Sequence, residues 1–192
     1  TPEENRSDSE RLDRLFNTLW THPCFTISTV QGVALGGGAG LLACSDHVIA
    51  MESARIALSE AKLGILPAVI GPYVLRRVGS AQFRRLAMLA GRFDGREALN
   101  IGMIDQVSTS SEESAEMVDA AIATVMSTGP VAVTEAKRLL QTLERRQGTD
   151  EDLRRWTLDK TSEMRGSPEG QEGLSAFLDR RPPAWSPEDQ DG

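Results

Sequence analysis

Three consecutive glycines, Gly36-Gly37-Gly38, stand between an apolar β-prone run and a segment of small apolar residues that ends at Cys44. No other feature limits the fold as much. A strand leads into the glycines and a helix-like segment leaves them. A strand-to-helix turn aims backbone N–H groups outward, and the helix start adds positive potential. Without side chains in the way, a ligand oxygen approaches those N–H groups closely. Such a turn suits a phosphate or the oxyanion of a polarised thioester carbonyl. The run does not fit G-x-G-x-x-G, and no Gly-Lys-Ser/Thr follows it. A tight turn that only lets helix and strand pack closely stays open beside the functional reading.

The rest of the pattern builds around that turn. Phe25–Val30, His47–Met51, Arg55–Leu58 and Met103–Val107 read as short strands. Residues 1–8 read as a disordered lead-in, with Ser7 and Glu10 as a capping box. Leu12, Leu15, Phe16, Leu19 and Trp20 then recur at helical spacing, and Pro23 stops that helix. Pro67–Val78 predicts an apolar helix interrupted at Gly71-Pro72. Ser80 caps a further helix through Leu89 that Gly91 ends, and Asp94–Asn100 is a short helix closed by Gly102. From Ser111 the chain reads as all-helical. Ser111–Ser127, Val131–Arg145 and Thr149–Arg165 each carry one apolar stripe. Ser167 and Pro168 open a last helix through Leu178. The fold class is α/β, with a core over residues 1–108 and an added helical region over 109–192.

With 192 residues, the chain is long enough for a sizeable core. Its net charge of −7 argues against nucleic acid as the main partner, although one local basic spot would still hold a phosphorylated ligand. No apolar run is long enough to span a bilayer. The polar start, Thr1-Pro-Glu-Glu, carries neither a signal peptide nor an initiator Met. Cys24 and Cys44 have no metal-ligand spacing and read as two reduced, buried thiols, which makes a cytoplasmic location the expectation. No metal site is expected.

Glu60 is the second candidate for chemistry. It lies just after an apolar strand, in Ala57-Leu-Ser-Glu-Ala-Lys-Leu-Gly. A carboxylate at the mouth of a buried strand is partly desolvated, which suits general acid/base work. Pairing with Lys62 or Arg55 on the surface is the competing reading. His22 and His47 lie far apart and read as structural. Asp46 caps or closes the turn after its helix. Arg76-Arg77, Arg84-Arg85 and Arg145-Arg146 read as solvated helix faces, with contact between one pair and a CoA phosphate as the alternative. Trp185 in the Pro-rich tail is expected to dock on a neighbouring subunit or cover a site entrance.

Four segments together resemble the crotonase (enoyl-CoA hydratase/isomerase) superfamily. They are Val30-Gln-Gly-Val-Ala-Leu-Gly-Gly-Gly-Ala-Gly-Leu, Cys44-Ser-Asp-His-Val-Ile-Ala, Ala54-Arg-Ile-Ala-Leu-Ser-Glu-Ala-Lys-Leu-Gly-Ile-Leu-Pro and Glu172-Gly-Leu-Ser-Ala-Phe-Leu-Asp-Arg-Arg. The segment Arg92–Asp105 resembles the family as well. The likeness runs from Val30 to about Trp185, and the turn at Pro67–Val74 looks closest to hydratases of the methylglutaconyl-CoA or isohexenylglutaconyl-CoA type. It implies a ββα spiral core with a C-terminal helical trimerisation region, and a homo-trimer or dimer of trimers. It implies an acyl-CoA substrate, with no cofactor beyond the CoA of that substrate. The Gly37 N–H would bind the thioester oxygen, and Glu60 would be the acid/base group. Gly36, Gly38, Ala34, Pro67, Val69 and Ile70 would contact substrate. The implied reaction is hydration of a branched 2-enoyl-CoA.

The sequence departs from the family pattern in two places. Many hydratases carry a second glutamate where this chain has Gly40. Glu60 would then act alone, which also suits enoyl isomerisation or thioester hydrolysis. The strands and the second oxyanion donor that the family usually carries do not precede Thr1. The chain is therefore expected to be an N-terminally truncated form, with an exposed sheet edge. A non-catalytic assembly or CoA-binding fragment is the remaining alternative.

Overall fold

The structure, a computed structural model, describes residues 1–145 and 148–186. The short strands pair in parallel. Strand β1 (Ile27–Val30) lies beside β3 (His47–Met51), and β3 beside β5 (Gln106–Ser108), giving the order β1-β3-β5. A separate parallel pair joins β2 (Val33–Leu35) to β4 (Arg55–Ala57), with Leu35 opposite Ala57. Parallel neighbours need a crossover between them, and α2 (Gly37–Cys44) lies in the crossover from β1 to β3 and in that from β2 to β4. Buried strands of a parallel sheet are apolar on both faces. Central β3 follows this rule, because Val48, Ile49 and Ala50 are fully buried.

Helix α1 (Pro2–Trp20) begins earlier than the sequence pattern predicts. Thr1 accepts from the Glu4 amide, and the Glu4 carboxylate reaches back to the terminal amine. Pro2 occupies the first turn, where its missing N–H costs nothing. Residues 2–8 are therefore helical, and the capping box is Thr1–Glu4, not Ser7–Glu10. Apolar spacing alone located only the docked end of this helix, because its first turns are exposed. At that end Phe16 is buried, and Phe16 and Trp20 both contact the Tyr73 ring.

Helix α3 (Gly71–Leu89) starts at Gly71-Pro72 and breaks at Gly79 (φ 75°). The dipeptide thus opens the helix instead of interrupting it. Its left-handed terminal residue is Ala90 (φ 48°), not Gly91. Arg77 is not on a solvated face. Its guanidinium donates to Met103 O, Ser45 O and Asp105 Oδ2, tying α3 to the turn after α2 and to the approach to β5. Arg76 lies over the Trp20 and Tyr73 rings at 5.5 and 5.8 Å, a cation–π contact. Arg85 bonds Gln82 and Glu97. Arg146 and the Arg145 side chain fall outside the described residues.

Helix α4 (Gly95–Asn100) is capped by Asp94, whose carboxylate accepts from the Glu97 amide. Strand β5 begins three residues later and ends one residue later than the sequence reading places it. Met103 and Ile104 are instead buried side chains of the connecting turn. Asp46 closes the turn before β3 by accepting from the amide and hydroxyl of Thr26. His22 Nδ1 accepts from the Cys24 amide, and His47 Nε2 faces Gln106 Oε1. Cys44 is buried, and burial pushes its thiol up to about 12. Cys24, expected to be buried, is exposed, because the connection from α1 to β1 runs over the surface.

The chain divides into two compact units, Thr1–Asp119 and Ala120–Gly192. Helix α5 (Ser111–Met126) crosses that division. The second unit continues with α6 (Pro130–Arg145), α7 (Asp150–Gly166) and α8 (Pro168–Asp179). Thr149 and Asp152 form a capping box on α7, and Ser167 caps α8. Trp185 returns to α8 of its own chain, where a Cβ built at Gly173 would come within 2.9 Å of its ring. Glu172 holds this tail by accepting two bonds from Arg181 and one from the Ala184 amide.

Two of these contacts predict measurable behaviour. Gly40 lies under Ile70, and a Cβ built on it would be 2.4 Å from Ile70 Cγ2 and 3.0 Å from Phe16 Cε1. Gly40→Ala is expected to cost about 1–3 kcal/mol in urea unfolding. Combined with Ile70→Ala it should cost less than the sum of the two single changes by at least about 0.5 kcal/mol.

The Arg181 bonds and the Ala184 amide hold the Glu172 carboxyl down to about 2, from an ordinary 4.5. A lowered folded-state value makes the stabilisation complete above pH 4.5 and lost as pH falls towards 2. Trp185 fluorescence, read with Trp20 and Trp156 replaced by Phe, should change across that window. Glu172→Gln should remove the change.

Candidate active site

Strand pairing brings the two candidate segments together. Leu35 of β2 faces Ala57 of β4, and the Gly36 amide donates to Ala57 O at 2.9 Å. The residues that follow each strand end are therefore neighbours: Gly36 and Gly37 on one side, Ser59 and Glu60 on the other. Gly36 has φ +53°, and a Cβ built there would lie 3.2 Å from Glu60 Oε1. Only glycine meets both demands without strain. Gly37 begins α2, and Gly36 offers the helix no side-chain cap. The first amides of an α-helix have no partner within it. The exposed Gly37 N–H is thus presented beside the carboxylate, at the positive end of the helix.

Glu60 opens a short 3-10 helix, Glu60–Leu63, which Gly64 ends at φ 72°. The side chain is partly buried, and its Oε2 is fully buried with no hydrogen-bond partner. Arg55 and Lys62 do not bridge to it; Arg55 donates to Ser53 O and Ala54 O instead. A buried carboxylate oxygen left unsatisfied is rare and costly, and such groups mark sites of chemistry. This places Glu60 among acid/base candidates and rules out a surface ion pair.

Both segments open on a cleft of about 590 Å³, within the usual range for small-molecule sites. Of the residues that the resemblance assigns to substrate or catalysis, Gly36, Gly37, Glu60, Pro67, Val69 and Ile70 line it. Ala34 and Gly38 do not. Ala34 is buried, and a Cβ built on Gly38 would meet the Ala34 Cβ at 3.7 Å. These two residues pack strand against helix behind the cleft. Its opposite wall is α1, through Asn5, Asp8, Ser9, Leu12 and Phe16. Sequence reasoning missed this wall. Leu12 and Phe16 belong to the apolar stripe read above, but Asn5, Asp8 and Ser9 on the same face are polar and carry no hydrophobic signal.

Gly40 is where a second carboxylate would stand in many hydratases. Ile70 and Phe16 close over it, so this end of the cleft is apolar. A second cavity of about 540 Å³, in the other unit, lies among Leu139, Met164, Leu174 and Trp185. Lys160, Arg165 and Glu169 are the charged residues of its lining, and two of them have partners in the fold. Glu169 accepts from the Val131 and Ala132 amides, and Lys160 pairs with Glu135 and Glu163. Among the described residues, the cleft at Glu60 is where a helix-start amide lies beside an unsatisfied acid. Among the described residues no group of three or more His, Cys, Asp or Glu is placed to hold a metal ion.

Known proteins resemble the chain in sequence and in fold. The family model described as enoyl-CoA hydratase/isomerase matches residues 1–188. A solved enoyl-CoA hydratase from Shewanella pealeana is 40% identical with a TM-score of 0.88; the match covers 95% of this chain and 68% of that one. A putative enoyl-CoA hydratase of Thermus thermophilus is 30% identical over 183 residues, 95% of this chain and 71% of the relative. The mitochondrial methylglutaconyl-CoA hydratase of Rattus norvegicus is 31% identical over 185 residues, 93% of this chain and 57% of the relative. On its motifs, its fold and these matches, the chain is a crotonase-fold enzyme of the enoyl-CoA hydratase/isomerase family.

Proposed function

We propose that the chain carries the acid/base half of a hydratase site for a 2-enoyl-CoA branched at C3. One observation supports this above the others: a buried, unpartnered Glu60 oxygen beside the free amide of Gly37. A thioester oxygen accepting from that N–H leaves C3 electron-poor. Glu60 takes a proton from water as the water oxygen bonds to C3. The negative charge passes to the thioester oxygen, where the Gly37 N–H and the helix start stabilise it. The enolate then collapses as C2 takes the same proton back from Glu60. One water is added and one carboxylate suffices. The similarity to a methylglutaconyl-CoA hydratase supports branching at C3.

A second reading rests on Gly40. With Ile70 and Phe16 over that position, no carboxylate stands at Gly40. A single carboxylate also suits transfer of a proton between carbons, which is isomerisation.

Loss of the ultraviolet band of the enoyl thioester measures hydration. Glu60→Gln is expected to lower the rate by about 10²–10⁴-fold, and unchanged turnover would remove Glu60 from the mechanism. Product mass separates the reactions. Hydration adds one water and keeps CoA attached, isomerisation leaves the mass unchanged, and hydrolysis releases CoA.

A further inference from the structure

The residue just before Glu60 also faces the cleft. Ser59 is partly buried and belongs to the lining. It stands at the start of the 3-10 turn Glu60–Leu63, where a serine hydroxyl commonly caps a free amide. This hydroxyl caps none. The Ser59 carbonyl closes the turn instead, accepting from the Lys62 amide at 3.1 Å. On the other side the chain is held by Ala57 and Leu58, both buried at the end of β4. A backbone fixed on both sides leaves the hydroxyl only its own rotamers.

Gly36 shows where that hydroxyl lies. A Cβ built on Gly36 would be 3.2 Å from Glu60 Oε1 and 3.6 Å from Ser59 Oγ. The carboxylate and the hydroxyl therefore flank one spot on the cleft wall, next to the residue that offers the helix-start amide. The other polar side chains of the lining stand on α1. Ser9 is engaged within that helix, where its Oγ donates to Asn5 O at 2.9 Å. Asn5 and Asp8 share the α1 wall and are exposed.

We propose that Ser59 holds the attacking water together with Glu60. The proposal rests on the hydratase reading above and names a second group for its first step. The water donates one O–H to the Glu60 carboxylate and the other to Ser59 Oγ. A lone pair of the water oxygen is then left for C3. As the O–C3 bond forms, Glu60 takes the first proton; Ser59 keeps its own, and no covalent bond to Ser59 is made or broken. Two acceptors fix the direction of that lone pair, where one would leave the water free to turn.

Two reactions separate this role from a structural one. Return of the proton to C2 uses Glu60 and the Gly37 amide but no water at C3. Run backwards on a saturated thioester, 3-methylbutanoyl-CoA, it exchanges C2 hydrogen for deuterium in heavy water. In the full chain, Ser59→Ala is expected to lower kcat for hydration of 3-methylbut-2-enoyl-CoA about tenfold with KM held within about twofold, as loss of one hydrogen bond to the reacting water would. Exchange should fall far less. Ser59→Thr, which keeps the hydroxyl, should recover most of the hydration rate. Unchanged hydration in Ser59→Ala overturns the proposal and leaves the hydratase reading standing. So does an equal loss of hydration and exchange, a Ser59→Thr rate no better than that of Ser59→Ala, or a loss in Asp8→Asn with none in Ser59→Ala. Absence of both hydration and exchange in the unaltered chain overturns the proposal and the hydratase reading together.

Discussion

The site depends on one backbone register. Parallel pairing of β2 with β4 sets Leu35 opposite Ala57, and the Gly36 amide extends the ladder by one bond to Ala57 O. Whatever follows Leu35 must then lie beside whatever follows Ala57. The amide of Gly37 and the carboxylate of Glu60 become neighbours although 23 positions separate them in the chain (60 − 37). A shift of one residue in this pairing would turn every side chain of the strand to its other face and carry Glu60 away from the glycine turn.

The surrounding structure holds that register in place. Helix α2 is built of residues small enough to lie deep in the core, and α1 and α3 close over it. Arg77 spans the carbonyls of Ser45 and Met103 and the Asp105 carboxylate, joining α3 to both ends of β3's neighbourhood. Charge-assisted bonds to three separate partners fix a position more firmly than one ion pair does. The close approach of α3 to α2 has a chemical result too. Ile70 occupies the space over Gly40, so that end of the cleft is hydrocarbon. Packing and chemistry are coupled there, because the glycine that admits Ile70 is also the position that lacks a carboxylate.

The second unit shows how a helical region is written locally. Thr149 with Asp152 and Ser167 with Pro168 mark helix starts through the orphan amides of the first turn. These signals involve residues within three positions of each other, so the sequence shows them directly. The ends of β5 and the start of α1 were harder to place. Met103 and Ile104 are apolar and look like strand, yet they are buried in a turn. Pro2–Asp8 is polar and looks disordered, yet a cap at Thr1 makes it helix. Hydropathy reports burial in the first case and exposure in the second, and neither fixes the backbone.

The sequence by itself determined the strand–glycine–helix turn, the acid after β4, most helix boundaries and the family. These rest on local propensity, caps and ordered motifs, which neighbouring residues carry among themselves. Only the tertiary structure decided which residues face the cleft. It turned Ala34 and Gly38 away into strand–helix packing, brought Asn5, Asp8 and Phe16 in from α1, took Arg77 out of solvent and put Ile70 over Gly40. Those outcomes follow from contacts between elements far apart in the chain, and no short window of sequence contains both partners.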